Sequence, residues 1–124
     1  MKELTSETCI RQNVDVEKLR TLRRQLLQRT DLDELAELLA MAANSTRLKI
    51  LYLLTIDGEL CVCDMADVLG MTVSAISHQL RKLRDRKVIR QRRDGPTIFY
   101  RLAPGPLATV LRDLFDREAM GEAA

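Results

Sequence analysis

The chain has 124 residues, of which 46% are hydrophobic and 31% charged, with a net charge of +2. That length supports one domain with a modest core, and the apolar content excludes a disordered chain. No apolar run approaches the ~20 residues needed to span a bilayer, and residues 1–5 lack the apolar segment of a signal peptide, so a cytoplasmic protein with reduced thiols is expected.

In chain order, residues 1–14 show no helical period and read as a flexible arm. From Val16 an apolar stripe at Leu19, Leu22, Leu26 and Leu27 predicts a helix ending near Arg29. Asp31 with Glu34 three residues on is a capping-box pattern. It opens a helix that would bury Leu35, Leu38, Leu39 and Ala42. Asn44 or Ser45 re-caps the chain for a buried helix carrying Leu48, Ile50, Leu51, Leu53 and Leu54, stopped by Asp57-Gly58. A short helix over 64–69 closes on Gly70, placed for a left-handed cap. Thr72 or Ser74 starts a further helix that runs to about Arg86. The period then changes to strand alternation over 88–93 and 97–102 around Asp94-Gly95-Pro96. Gly-Pro is an imperfect tight turn, so a loop slightly longer than two residues is expected. Leu107, Val110, Leu111, Leu114 and Phe115 mark a last amphipathic helix. The fold class is mainly α with a small β-hairpin: a winged helix–turn–helix. The first and last helices carry more apolar surface than so small a core hides, which suggests a homodimer. The expected organisation is an arm over 1–14, a winged domain with flanking dimerisation helices over 15–120, and a tail over 121–124.

Charge is unevenly spread. Residues 73–101 carry nine basic and two acidic side chains, a balance of +7, whereas residues 31–72 carry two basic and eight acidic, a balance of −6. A positive face of that kind seeks phosphate, so double-stranded DNA is the expected partner. Ile76, Leu80 and Leu83 form the inward stripe of the DNA-reading helix. Ser74, Ser77, His78, Gln79, Arg81 and Lys82 are then offered to the major groove. Arg90, Arg92 and Arg93, on the wing, suit phosphates or a narrow minor groove.

The chain has three cysteines, Cys9, Cys61 and Cys63. Within a regular helix, positions i and i+2 face apart, so Cys61 and Cys63 converge on one ion only if they sit at a helix start. Soft thiolates select Cd(II), Pb(II), Zn(II), Hg(II) or As(III) over hard cations. Three sulfurs suit a pyramidal ion, and a tetrahedral one needs a fourth ligand such as water, Asp64 or Asp15. By spacing alone, small buried apolar cysteines are an equally good reading.

The run Glu59-Leu60-Cys61-Val62-Cys63-Asp64-Met65-Ala66, followed by Ser74-Ala75-Ile76-Ser77-His78-Gln79-Leu80-Arg81-Lys82-Leu83, strongly resembles the ArsR/SmtB family of metal-sensing repressors. Asn44-Ser45-Thr46-Arg47-Leu48-Lys49-Ile50-Leu51 and Ile98-Phe99-Tyr100-Arg101-Leu102 extend the resemblance over about residues 31–103. It implies a homodimer that binds a palindromic operator without metal and releases it when metal binds. The Cys-Val-Cys pair looks most like the cadmium/lead/zinc-responsive branch, in which the arm of one subunit adds thiolates to the pair on the other. Cys9 matches the first arm cysteine of that branch, and Asn13 stands where a second would be. The resemblance thus implies a site of Cys9, Cys61 and Cys63. The family's second site, on the last helix, is not supported, because residues 104–124 contain no His.

Two other readings compete: a winged-helix repressor whose cysteines sense arsenite, oxidants or reactive sulfur, and an interaction module without DNA. An enzyme is not expected. No His neighbours Cys61 or Cys63, and no Gly-rich loop cradles a phosphate.

Overall fold

The computed structural model describes residues 11–123, with side chains through Asp116, and the chain divides into two units, residues 1–33 and 34–124. In the first unit Asp15 caps α1 (Val16–Gln28), its carboxylate accepting the Lys18 N–H at 3.0 Å. The expected stripe is present, and Leu22, Leu26 and Leu27 on it are exposed. Asp31, expected to cap the next helix, accepts instead from Nε and Nη2 of Arg29 at 2.8 and 2.9 Å. That guanidinium holds the Asp31 carboxyl below its usual range. The flexible arm expected over 1–14 falls largely outside the described residues.

Beyond it follow α2 (Leu32–Ala42), α3 (Ser45–Asp57), β1 (Leu60–Cys61), α4 (Val62–Leu69), α5 (Val73–Asp85), β2 (Ile89–Asp94), β3 (Thr97–Leu102) and α6 (Pro106–Ala123). Asn44 caps α3 by accepting the Arg47 N–H at 3.1 Å, and Thr72 caps α5 by accepting the Ala75 N–H at 3.1 Å. Between α4 and α5, Gly70 takes φ +65. The Met71 N–H reaches the Ala66 carbonyl at 3.0 Å, the longer bond of a Schellman closure. This turn sets the angle of the helix–turn–helix.

The core gathers Ile50, Leu51 and Leu54 of α3, Met65 and Ala66 of α4, and Ile76, Leu80 and Leu83 of α5. Val88, Ile89 and Leu102 close it from the wing, and Leu107 and Leu111 from α6. Each such aliphatic side chain contributes roughly 1.5–3 kcal/mol by leaving water, so the inward stripes of α3 and α5 fix α5 in place. Leu39, expected to be buried, is exposed, and Val110 and Leu114 of α6 are exposed as part of the apolar surplus expected on that helix. Phe115 instead meets Tyr52 of α3 edge to face, with ring centroids 5.1 Å apart.

The wing departs from expectation in two ways. Its loop has only two residues, Gly95 and Pro96, because Asp94 still pairs with Thr97. Gly95 takes φ +61, and a proline ring holds the next φ near −65°, the order a type II′ turn requires. Further, the hairpin is part of a three-stranded sheet in the order β1-β3-β2. The added strand pairs Leu60 with Tyr100 and Cys61 with Phe99, so α4 starts at Val62 rather than Asp64. Side chains alternate across a strand and match across a rung. Cys61, Phe99, Arg92, Arg101 and Arg90 therefore share one face of the sheet. Leu60, Tyr100 and Gln91 share the other, and Arg84 of α5 bonds Gln91 from that side at 2.9 Å.

Candidate nucleic-acid interface and thiol site

With Ile76, Leu80 and Leu83 fully buried, the helical period turns Ser74, His78, Arg81 and Lys82 to solvent. These exposed side chains include two cations, with serine and histidine groups able to donate or accept. Ser77 and Gln79 are half-buried at the flanks. Gln79 is not free: its amide oxygen accepts from Arg47 Nη1 at 3.0 Å, while Arg47 Nε donates to the Met41 carbonyl at 2.6 Å. Arg47 thus ties α3 and the end of α2 to α5 and takes up the Gln79 amide oxygen. Ser77, Arg81, Arg84 and Tyr100, over Leu80, line a cleft of about 110 Å³ between α5 and the wing.

The three wing arginines occupy different stations. Arg93, paired with Ile98, lies next to the Asp94–Thr97 rung at the tip. Arg90, paired with Arg101, lies at the foot, where both line a cavity of about 360 Å³ with Arg112 of α6. Arg92 lies between and is engaged. Its Nε donates to Glu59 Oε2 at 3.2 Å, its Nη2 donates to Glu59 Oε1, and its guanidinium carbon sits 4.8 Å from the centre of the Phe99 ring. The Arg92 hydrogen bonds hold the Glu59 carboxyl below its usual range, and Arg101 adds to the effect.

Cys61 is the last residue of β1 and the N-cap of α4, with extended backbone (φ −87, ψ 164). Cys63 follows in the first turn. Because Cys61 stands outside the regular helix, the opposition of i and i+2 does not apply to the pair. Both are free thiols; Cys61 is half-buried and Cys63 exposed. That accessible pair fits a soft cation in donor chemistry. Among the described residues no group of three His, Cys, Asp or Glu side chains is placed to hold a metal. Cys9, the third expected sulfur, lies outside the described residues.

Glu59, Arg47, Arg84, Phe99 and Tyr100 were not singled out as functional from sequence. Only Glu59 carried a signal, its two-residue spacing from Cys61, just ahead of β1.

A helix–turn–helix with a basic reading helix and a basic wing defines a DNA-binding transcriptional regulator. The family model described as "Bacterial regulatory protein, arsR family" matches residues 44–90. The chain is 32% identical to the transcriptional repressor SmtB homolog of Synechocystis sp. over 108 residues, covering 87% of this chain and 81% of that one. It is 29% identical to the cadmium resistance transcriptional regulatory protein CadC homolog of Staphylococcus aureus, covering 80% and 81%. The crystal structure of AntR, an antimony-specific transcriptional repressor, superposes with a TM-score of 0.66 at 34% identity, covering 75% of this chain and 84% of that one. The chain belongs to the ArsR/SmtB family of transcriptional regulators. The relatives it matches are regulators, not enzymes. No helix among the described residues is long and apolar enough to cross a membrane.

Proposed function

We propose that this chain is a cytoplasmic, homodimeric repressor that holds operator DNA without metal and lets go when Cys61 and Cys63, with Cys9 of the arm, bind a thiophilic ion of the Cd/Pb/Zn class. The observation that carries the reading is the position of the free thiol pair. It starts the first helix of the helix–turn–helix and is hydrogen-bonded through β1 to the wing strand β3. Ligation there acts on both elements that meet DNA. Similarity to a cadmium resistance regulator and to an SmtB homolog supports metal as the signal.

In this reading Ser74, Ser77, His78, Gln79, Arg81 and Lys82 face the major groove, and Arg90, Arg92 and Arg93 position the backbone. The exposed stripes of α1 and α6 pair two copies, so that the two reading helices stand about one DNA turn, ~34–36 Å, apart. Residues 1–14 serve as the arm that delivers Cys9. Release requires only that the ion bind the two dimer geometries unequally.

Trivalent arsenic or antimony is the second reading. It is favoured by three thiols, which suit a pyramidal ion, and by the likeness to an antimony-specific repressor. Operator binding measured with and without Cd(II), Pb(II), Zn(II), As(III) and Sb(III) separates the two. Cys63→Ser should retain operator binding while losing release and the sulfur-to-metal absorption band. A Cys63→Ser protein that still releases DNA on adding the inducing ion places the sensor elsewhere. Release by peroxide with no response to any ion would instead support an oxidant sensor.

A further inference from the structure

Among the described residues, Arg92 is the one wing arginine whose head group is already committed, and both of its partners belong to the thiol segment or its rung. Glu59 lies two residues before Cys61, just ahead of β1, with its carboxylate on Arg92, and Phe99 is the residue directly across from Cys61. The fork is bidentate, so it fixes the direction of the guanidinium as well as its position. Its side chains still meet water, with relative exposures of 52% for Arg92 and 31% for Glu59. An exposed pair contributes little to stability. A phosphate presents the same paired oxygens to a guanidinium as a carboxylate does, so the Glu59 carboxylate and a DNA phosphate compete for one side chain.

We propose that Glu59 is a positioning residue for DNA release: it exchanges Arg92 with the operator backbone, and a change at Cys61 sets which partner wins. This rests on the thiol-site reading above. Strand β1 is only two residues long, and Cys61 ends it and caps α4 at once. Fixing the Cys61 sulfur therefore fixes the backbone that carries Glu59 and the rung beneath Arg92. With that segment fixed, Glu59 keeps Arg92 and the wing loses a phosphate contact. With it free, Arg92 turns to DNA. The carboxylate supplies the unequal interaction that regulation requires, without touching either the ion or the operator.

Three proteins test it: the wild type, Glu59→Gln and Glu59→Asp, each as the full chain. The readouts are operator affinity with and without the inducing ion, ion affinity from the sulfur-to-metal band, and the Arg92 Nε–H resonance of the ion-free protein. Glu59→Gln should bind the ion as the wild type does and hold the operator at least as tightly. Its ratio of ion-free to ion-loaded affinity should fall at least about fivefold, the lower end of ordinary allosteric coupling. Its Arg92 Nε–H signal should move to that of a solvated guanidinium, and Glu59→Asp should recover part of both effects. Arg92→Lys, which keeps a cation but not the fork, should lose coupling in the same way. A wild-type ratio in Glu59→Gln overturns the inference and leaves the thiol-site reading standing, as does a fall in melting temperature with the ratio unchanged, which makes the pair a sheet staple. A wild type that no thiophilic ion removes from DNA overturns both.

Discussion

Helices α1 and α5 are both thirteen residues long, both amphipathic and both capped at the start by a side-chain oxygen, yet their apolar faces meet opposite fates. On α5, Ile76, Leu80 and Leu83 are 0–1% exposed, whereas on α1, Leu22, Leu26 and Leu27 are 50–69% exposed. Periodicity states that a face needs cover and is silent on what covers it. For α5 the cover is the chain's own α3, α4 and wing. For α1 the cover, in the proposed dimer, is a second copy of the chain, the use that a two-fold operator reader would have for it.

The strongest perturbation of this contrast lies in the covered stripe. Leu80→Ala should destabilise the protein by about 2–5 kcal/mol, since a fully buried leucine loses both its transfer energy and its packing. The urea midpoint should fall at every protein concentration. Leu26→Glu should do the reverse. It should leave the unfolding of a monomer almost unchanged while weakening dimerisation. Each buried leucine contributes roughly 1.5–3 kcal/mol, and a two-fold interface counts it twice. The dissociation constant should therefore rise at least about a hundredfold, since ~1.4 kcal/mol is tenfold. Sedimentation equilibrium checks it, and a Leu26→Glu protein that dimerises like the wild type assigns α1 to another role.

Local chemistry was legible in the sequence. Val16 as a helix start, caps at Asn44 or Ser45 and at Thr72 or Ser74, of which Asn44 and Thr72 serve, Gly70 as a left-handed closure, and the inward stripe of α5 all depend on residues within a few positions of each other. What escaped depended on distant partners or on elements too short to show a period. Strand β1 has two residues, fewer than alternation needs to appear. Arg47 meets Gln79 across 32 positions, and Arg92 meets Glu59 across 33, so composition pointed to both wing and helix residues as free DNA contacts. The thiol pair stood out by its spacing, its reading as a metal site came from the family resemblance, and its place at a helix start follows the same local logic. The link from that pair to the wing was not legible, because it runs through β1.

The smallest effect separates the far ends of the two helices. Helix α1 stops at Arg29 with ordinary negative φ, and its N–H reaches the Leu26 carbonyl at 3.1 Å. Helix α5 ends in a full Schellman closure, with the Lys87 N–H on the Arg84 carbonyl at 2.9 Å and the Val88 N–H on the Leu83 carbonyl at 3.0 Å. Lys87 is forced to φ +60 for this, the only positive-φ residue among the described residues that is not glycine. The same closure at the end of α4 uses Gly70. A side chain in that region costs about 1–2 kcal/mol, and part of the relief on removing it is offset by the greater freedom of unfolded glycine. Lys87→Gly should therefore stabilise by about 0.5–1 kcal/mol. Gly70→Ala should destabilise by about 1 kcal/mol, and since a Cβ there would meet nothing within 4 Å, the loss is backbone strain alone. Thermal melts of the two variants should move in opposite directions. If Lys87→Gly melts lower than the wild type, the side chain of Lys87 contributes more than its backbone strain removes.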